Sequence, residues 1–305
     1  MSAAAPLLPR TAPPHEVLRA VLEALDRGAR VVLASVVDRR GSAPSTPGQK
    51  LVLLDARTAI GTVGGGAVER VVLERMQAAL VDRDARPRLE TFRLGASLGM
   101  CCGGSADILI EPIEPPLHVL VVGAGHVGVF TAPLLASLVF RVTLVDAREA
   151  AADPARLPPV PAAPTGLAEG VRLVHGDHDD PETLHAFPAD LGRAAALVMT
   201  HDHALDQVVI EWALGRGFGF VGGVGSRAKA VRTRDRLEAK GFSAADIARV
   251  RMPVGVDIGA RAPAEIGVAI AAELVAWRAS RGRGVEARAR EDAGAPSTFE
   301  GRTET

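Results

Sequence analysis

The sequence predicts an α/β protein of two domains, a small N-terminal α/β domain followed by a doubly wound parallel-sheet domain. Three observations predict it. After residue 117, short β-branched runs alternate with helical stretches, the pattern of a parallel sheet with helices on both faces. A glycine turn, Gly123-Ala124-Gly125-His126-Val127-Gly128, stands between a buried-strand pattern and an apolar helix. Ahead of both, Glu114-Pro115-Pro116 marks a boundary.

The elements follow in order. His15 to Gly28 carries Val17, Leu18, Val21, Leu22 and Leu25 at helical spacing. Arg30 to Asp38 is a β-branched strand, residues 39–48 form a turn rich in Gly, Ser and Pro, and Lys50 to Leu54 is a second strand. Ala59 to Val63 enters Gly64-Gly65-Gly66, from which a helix leaves over Ala67 to Leu80. Thr91 to Leu94 and Ala106 to Glu111 flank a turn at Gly95 to Gly104. The first domain is thus expected over 13–116. The second, expected over 117–279, begins with the strand Leu117 to Val122 and continues with strands at Arg141 to Val145, Val171 to Val174, Ala195 to Met199 and Phe218 to Val224. The Pro/Ala-rich stretch 151–170 reads as a surface insertion, and 280–305, polar and poor in apolar residues, as a disordered tail.

Composition limits the function classes. The chain has 305 residues, 48% of them hydrophobic, enough for two cores. A formal charge of −1 favours neither nucleic acid nor a membrane surface. No uncharged apolar run reaches the roughly 18 residues of a membrane span. Met1 to Pro14 lacks the basic start and apolar centre of a secretion signal, so a cytoplasmic protein is expected. The two cysteines, Cys101 and Cys102, are adjacent. Neighbours form only a strained small ring as a disulfide and lack the spacing of a zinc site, so they read as reduced thiols.

Four motifs carry chemistry. In the turn at Gly123, Gly125 and Gly128, the first glycine permits a tight bend, the second close approach to a pyrophosphate, and the third helix–strand packing. The helix that begins at His126 adds amide donors, and Asp146, closing the next strand, is placed to accept from a ribose diol. That is a Rossmann-like pattern, although the same glycines serve packing alone in a site for another phosphate-bearing ligand. Thr200-His201-Asp202-His203 follows a strand end where such sheets bind ligands. His201, His203 and Asp206 there suit hydrogen bonding or acid/base work, with metal ligation the weaker reading. Gly225, Ser226, Arg227 and Lys229 open a further helix with donors and charge suited to an anion. In the first domain, Gly64, Gly65 and Gly66 suggest close backbone approach, with Glu69 either functional or complementing the helix dipole. Cys101 and Cys102, set in Gly99 to Gly104, have the soft thiolate character of a ligand to a sulfur-bound metal, or are two buried small hydrophobes.

Taken in order, these pieces resemble the XdhC/CoxI family of xanthine dehydrogenase accessory proteins over nearly all of residues 15 to 279. The resemblance rests on Gly41-Ser42-Ala43-Pro44 with Pro47-Gly48, Gly64-Gly65-Gly66-Ala67-Val68-Glu69 and Cys101-Cys102-Gly103-Gly104 in the first domain. In the second it rests on the turn at Gly123, Thr200-His201-Asp202-His203, Gly225-Ser226-Arg227, Pro253-Val254-Gly255 and Pro263-Ala264-Glu265-Ile266. It implies a non-catalytic carrier, similar to family members that bind molybdenum cofactor (molybdopterin) and protect it from oxidation. Such a carrier keeps the cofactor while a cysteine desulfurase supplies its sulfido ligand, then delivers it to the molybdenum subunit of apo xanthine dehydrogenase. On the same ground, a homodimer is expected. Relatives on the CoxI side carry a cysteine in the Gly-Gly-Cys-x-Glu turn. Gly66-Ala67 stands there here, which resembles the XdhC branch and leaves Cys101 and Cys102 as the thiols for a molybdenum contact. A glycine-lined cleft would hold the phosphate at Gly123 to Gly128 or at Gly222 to Gly225.

Two other readings stay open. An NAD(P)-dependent oxidoreductase would use the glycine turn, Asp146 and the nearby histidines, but the chain has no tyrosine and so no Tyr-x-x-x-Lys pair. A nucleotide-sensing scaffold would use the same turn to regulate docking of a partner.

Overall fold

The computed structural model describes residues 7–93, 104–149, 171–185, 187–188 and 190–293, with side chains up to residue 281. The chain divides into two compact units, with the boundary between Pro116 and Leu117 and with 187–188 counted in the first. Cys101, Cys102 and the expected insertion over 151–170 lie outside the described residues.

In the first unit, α1 (Pro14–Asp26) leads into β1 (Val31–Arg40), β2 (Lys50–Leu53), β3 (Ala59–Gly61), α2 (Gly66–Val81), β4 (Arg88–Arg93) and β5 (Ser105–Ile113). The five strands form one antiparallel sheet in the order β3-β2-β1-β5-β4. Strand β1 lies at its centre and is apolar on both sides, since side chains alternate across a pleat. Val32, Ala34 and Val36 join the core beneath α2 with Val68, Val72 and Met76. Val31 and Leu33 join the core beneath α1 with Val17, Val21 and Ala24. The register of β1 on β5 slips between Val36 and Asp38, which leaves Val37 exposed as the extra residue of a bulge.

Helix α1 turns a different face inward from the one its leucines suggest. Val17, Ala20, Val21 and Ala24 are buried, at i, i+3, i+4 and i+7, while Leu18 and Leu22 flank that stripe and are exposed. The alanines let the helix sit close to the sheet, and the bulkier leucines fall on its shoulder.

In the second unit, β6 (His118–Val122), α3 (His126–Ser137), β7 (Arg141–Asp146), β8 (Arg172–His175) and α4 (Pro181–Leu184) form the first half. The second half is β9 (Ala194–Val198), α5 (His203–Arg216), β10 (Phe220–Gly223), α6 (Arg227–Ala239), α7 (Ala244–Ala248), β11 (Val250–Arg251) and α8 (Pro263–Ala293). All six strands are parallel, in the order β11-β10-β9-β6-β7-β8. Counted within the domain this is the 3-2-1-4-5-6 order of a Rossmann fold, whose ligand crevice opens where the order reverses, between β6 and β9. Val119, Val121, Ala195, Leu197 and Phe220 point to one face, where α3 and α8 share their core through Ala132, Leu135, Ile270 and Leu274. Leu120, Ala196, Val198 and Val221 alternate to the other face, covered by α5 through Val209, Ile210 and Ala213.

Helix α8 runs to Ala293, past the position where the sequence suggests that order ends. The segment is polar but rich in Ala, Arg and Glu, which favour a helix without an apolar stripe.

Helix α3 ends in a Schellman motif whose left-handed residue is not glycine. Phe140 N–H donates to the Leu135 carbonyl and Val139 N–H to that of Ala136, with Val139 at φ 64°. A β-branched residue is strained in that region, and the side chain is 38% exposed, so little packing depends on it. Val139→Gly is expected to stabilise the protein by about 1 kcal/mol after the entropy cost of glycine, a rise in Tm of roughly 2–4 °C. Thermal unfolding of both proteins checks this, and an unchanged or lower Tm would refute the strain.

Candidate functional site

A cavity of about 480 Å³ opens at the carboxyl ends of the parallel strands. Gly125, His126 and Val127 line it from the start of α3, Met199 to His201 from the end of β9, His203 from α5, Val224, Gly225 and Lys229 from the start of α6, and Arg148 from beyond β7. The glycine turn makes room for it. Gly123 has φ +112°, and a Cβ there would lie 2.5 Å from the Met199 carbonyl oxygen. A Cβ on Gly128 would lie 2.0 Å from the Gly123 oxygen, so α3 can start this close to β6 only with glycine at both positions. Gly125 differs: its backbone is ordinary extended chain, and a Cβ would meet nothing within 4 Å. That open space lies on the cavity wall.

Three helices begin at the cavity, and two are capped by their own side chains. Asp202 accepts from the Ala204 amide at α5, and Ser226 from the Lys229 amide at α6. No side chain caps α3, whose N-cap is Gly125. Its first-turn amides and the positive end of its dipole are therefore the ones left to a ligand.

Two buried carboxylates hold the two cations of the cavity. Asp206, on α5 and 2% exposed, accepts from the Thr200 amide at 3.0 Å, the Thr200 hydroxyl at 2.7 Å and the Lys229 ammonium. Lys229 also donates to the Val224 carbonyl at 3.2 Å, and His203 Nδ1 stands 3.8 Å from the same carboxylate. This knot ties the end of β9 to α5 and α6.

Asp146 closes β7 and is 8% exposed. Its carboxylate accepts from the Ala124 amide at 2.8 Å and from the Arg148 amide at 3.0 Å. The Arg148 guanidinium grips it in a fork, Nε at 2.9 Å and Nη2 at 2.8 Å. Burial alone would push this carboxyl up, but the Arg148 side-chain bonds, the two amides and the guanidinium charge together hold it below the ordinary carboxylate value.

In the first unit the motif residues spend their groups on one another. Gly64, Gly65 and Gly66 take φ of 125°, 76° and 64°, a run that needs glycine. A Cβ on Gly64 would stand 2.9 Å from the Ser45 amide nitrogen, so the close approach is to the protein's own 41–48 turn. Ser45, fully buried, donates to the Val63 carbonyl at 2.6 Å. Glu69 accepts from the Thr62 hydroxyl at 2.5 Å and the Val63 amide at 3.1 Å, fastening the entrance of α2. Gly104 packs against Ser42, where a Cβ would lie 2.8 Å from its carbonyl oxygen.

Of the residues singled out from sequence, the fold brings Gly125, His126, His201, His203 and Gly225 to one cavity. Gly123, Gly128 and Asp146 stand behind its wall. Ser226 is a helix cap, and Arg227 points outward in an exposed ion pair with Asp257 at 3.3 Å. Arg148 is the residue that sequence reasoning missed. Its signal is a cation two positions after the acidic strand end. Among the described residues no group of three or more His, Cys, Asp and Glu is arranged to hold a metal ion, and no helix is long and apolar enough to cross a membrane.

Because the folded pKa of Asp146 is lowered, its contribution to stability is present above the unfolded value, about 3.9, and is lost as pH falls through the folded value. Urea unfolding of wild type and Asp146→Asn at stepped pH checks this. Wild type should lose stability more steeply than the variant below about pH 4, and parallel curves would mean the carboxylate is not preferentially stabilised.

Comparison with known proteins places the chain. A model described as the XdhC Rossmann domain matches residues 119–274, and one described as the XdhC and CoxI family matches residues 24–93. The uncharacterized protein YqeB of Escherichia coli is 30% identical over 249 residues, covering 80% of this chain and 42% of that protein. A protein of Bacillus subtilis described as a probable xanthine dehydrogenase subunit is 29% identical over 174 residues, covering 57% of this chain and 47% of that protein. The chain thus spans less than half the length of each of these relatives. A crystal structure of a xanthine dehydrogenase from Bacillus halodurans aligns with a TM-score of 0.41 at 17% identity, covering 94% of this chain and 99% of the other. Both domains are matched in order by family models that describe them, and the chain belongs to the XdhC family.

Proposed function

We propose that this protein is a non-catalytic accessory factor in the maturation of a xanthine dehydrogenase-type molybdenum enzyme, and that it holds molybdenum cofactor. The observation that carries the reading is the cavity at the uncapped start of α3, in a chain of this family. At about 480 Å³ it has the size of a site for a cofactor-sized molecule. A molybdopterin brings a phosphate, and the α3 amides with Arg148 and Lys229 are donors that suit one. Gly125 leaves the space that a ligand pressed against the backbone would need. The residues present therefore fit the phosphate end of the group. For the metal end this reading relies on Cys101 and Cys102, whose thiolates would supply soft sulfur.

When bound, the cofactor supplies the oxygen-sensitive molybdenum dithiolene that the target enzyme uses. The chain's own work is to bind, orient and shield it. Its partners on this reading are a cysteine desulfurase and the molybdenum subunit of apo xanthine dehydrogenase, met in the cytoplasm by a homodimer. The Bacillus subtilis relative, described as a probable xanthine dehydrogenase subunit, supports the xanthine dehydrogenase part of this reading.

Anaerobic purification followed by molybdenum and pterin analysis tests the proposal. Near-stoichiometric pterin is expected in wild type and a severalfold loss in Cys101→Ala/Cys102→Ala. If both proteins retain it equally, the thiol role falls, and if neither holds pterin the carrier reading falls with it. Gly125→Ala gives an independent check, because its backbone and surroundings accept a methyl group. Its Tm should stay within about 1 °C of wild type while retained pterin drops, since the methyl fills the ligand's space. Undiminished pterin in that variant would move the ligand away from α3.

A further inference from the structure

In a dinucleotide-binding Rossmann domain, the acidic residue that ends the second strand receives the hydroxyls of the adenosine ribose. Asp146 holds that position, yet Arg148 already covers it. The guanidinium fork occupies both carboxylate oxygens, and the Ala124 and Arg148 amides take further acceptor directions. A ribose diol can reach Asp146 only by evicting a bidentate, charge-assisted pair. Arg148 lines the cavity, as do Gly125 and Lys229, whose ammonium keeps one N–H beyond those given to Asp206 and Val224. Each cation is fixed in place by its own buried carboxylate, so neither must be ordered when an anion arrives.

We propose that this cavity is a phosphomonoester site from which Arg148 excludes an unphosphorylated nucleoside ribose, so that a glycine turn of dinucleotide-binding type takes a phosphomonoester instead. The inference rests on the cofactor-holding reading only for the identity of the natural ligand, and deepens it by assigning the end of the ligand that enters. Arg148 is the specificity-determining residue, with Asp146 positioning it.

The test is isothermal titration of the full chain with glycerol 3-phosphate, inorganic phosphate and NAD+, for wild type, Arg148→Ala and Arg148→Lys, with unfolding midpoints to verify folding. Wild type should bind glycerol 3-phosphate and inorganic phosphate, and NAD+ at least about tenfold more weakly. Arg148→Ala should weaken the monoester about ten- to a hundredfold, the worth of charged hydrogen bonds, and strengthen NAD+ by freeing Asp146. Arg148→Lys, with charge but no fork, should fall between them. Tighter NAD+ than monoester binding in wild type, or an unchanged preference in folded Arg148→Ala, would overturn the proposal. Pterin analysis of the same proteins separates the two readings. Phosphate binding as expected without retained pterin keeps this site and removes the carrier. Pterin retained equally in wild type and Arg148→Ala keeps the carrier and removes this site.

Discussion

The second domain depends on one close approach. The helix α3 begins so near the end of β6 that the Gly128 Cα faces the Gly123 oxygen with no room for a side chain, while Gly123 itself lies against the Met199 carbonyl. Three elements, β6, α3 and β9, therefore converge at one point, and a cavity opens where the strand order reverses. Two polar features of the site follow from this convergence. It brings the α3 amides beside the loop after β9, and sets Ala124 within reach of Asp146 at the end of β7.

Around that point the chain manages charge by pairing. Burying a carboxylate is costly unless it is matched, and Asp146 and Asp206 are matched by Arg148 and Lys229 with backbone amides added. Such pairs add little net stability compared with well-packed apolar groups, but they fix geometry. Here each pair holds a cation at the cavity wall in one orientation. The pairing also offsets each cation's formal charge, so the cavity wall presents mainly directional N–H donors and the uncapped start of α3.

How much of this is legible in the sequence follows from the range of each interaction. The β-branched runs and the glycine turn are local signals, so the strands, the doubly wound domain and the end that carries the cavity can be read directly. The inward face of α1 misleads because leucines attract notice while Ala20 and Ala24 make the closer contact. The Asp206–Lys229 pair spans 23 positions and exists only because α5 and α6 follow neighbouring strands. Arg148 is hidden for a different reason: in sequence Asp146 reads as an acceptor waiting for a ribose, and a cation two positions later marks a candidate partner without showing that the two are paired. The strained Val139 is silent in sequence too, since the helix-end pattern leads one to expect glycine there.

The first domain shows why a motif is weaker evidence than the site it builds. Its glycine triplet and Glu69 look like part of a ligand-binding turn when written in a line. In the fold they close a turn on itself: the glycines supply three left-handed bends, Ser45 fills the Gly64 recess, and Glu69 satisfies Thr62 and Val63. Groups engaged in this way have little left to offer a ligand without breaking the turn, and breaking it would expose a buried serine. Helix α2 shares with α3 an N-terminus without a side-chain cap, at Gly65 and Gly125, but α3 alone of the two opens on a cavity whose wall carries two cations held by buried carboxylates.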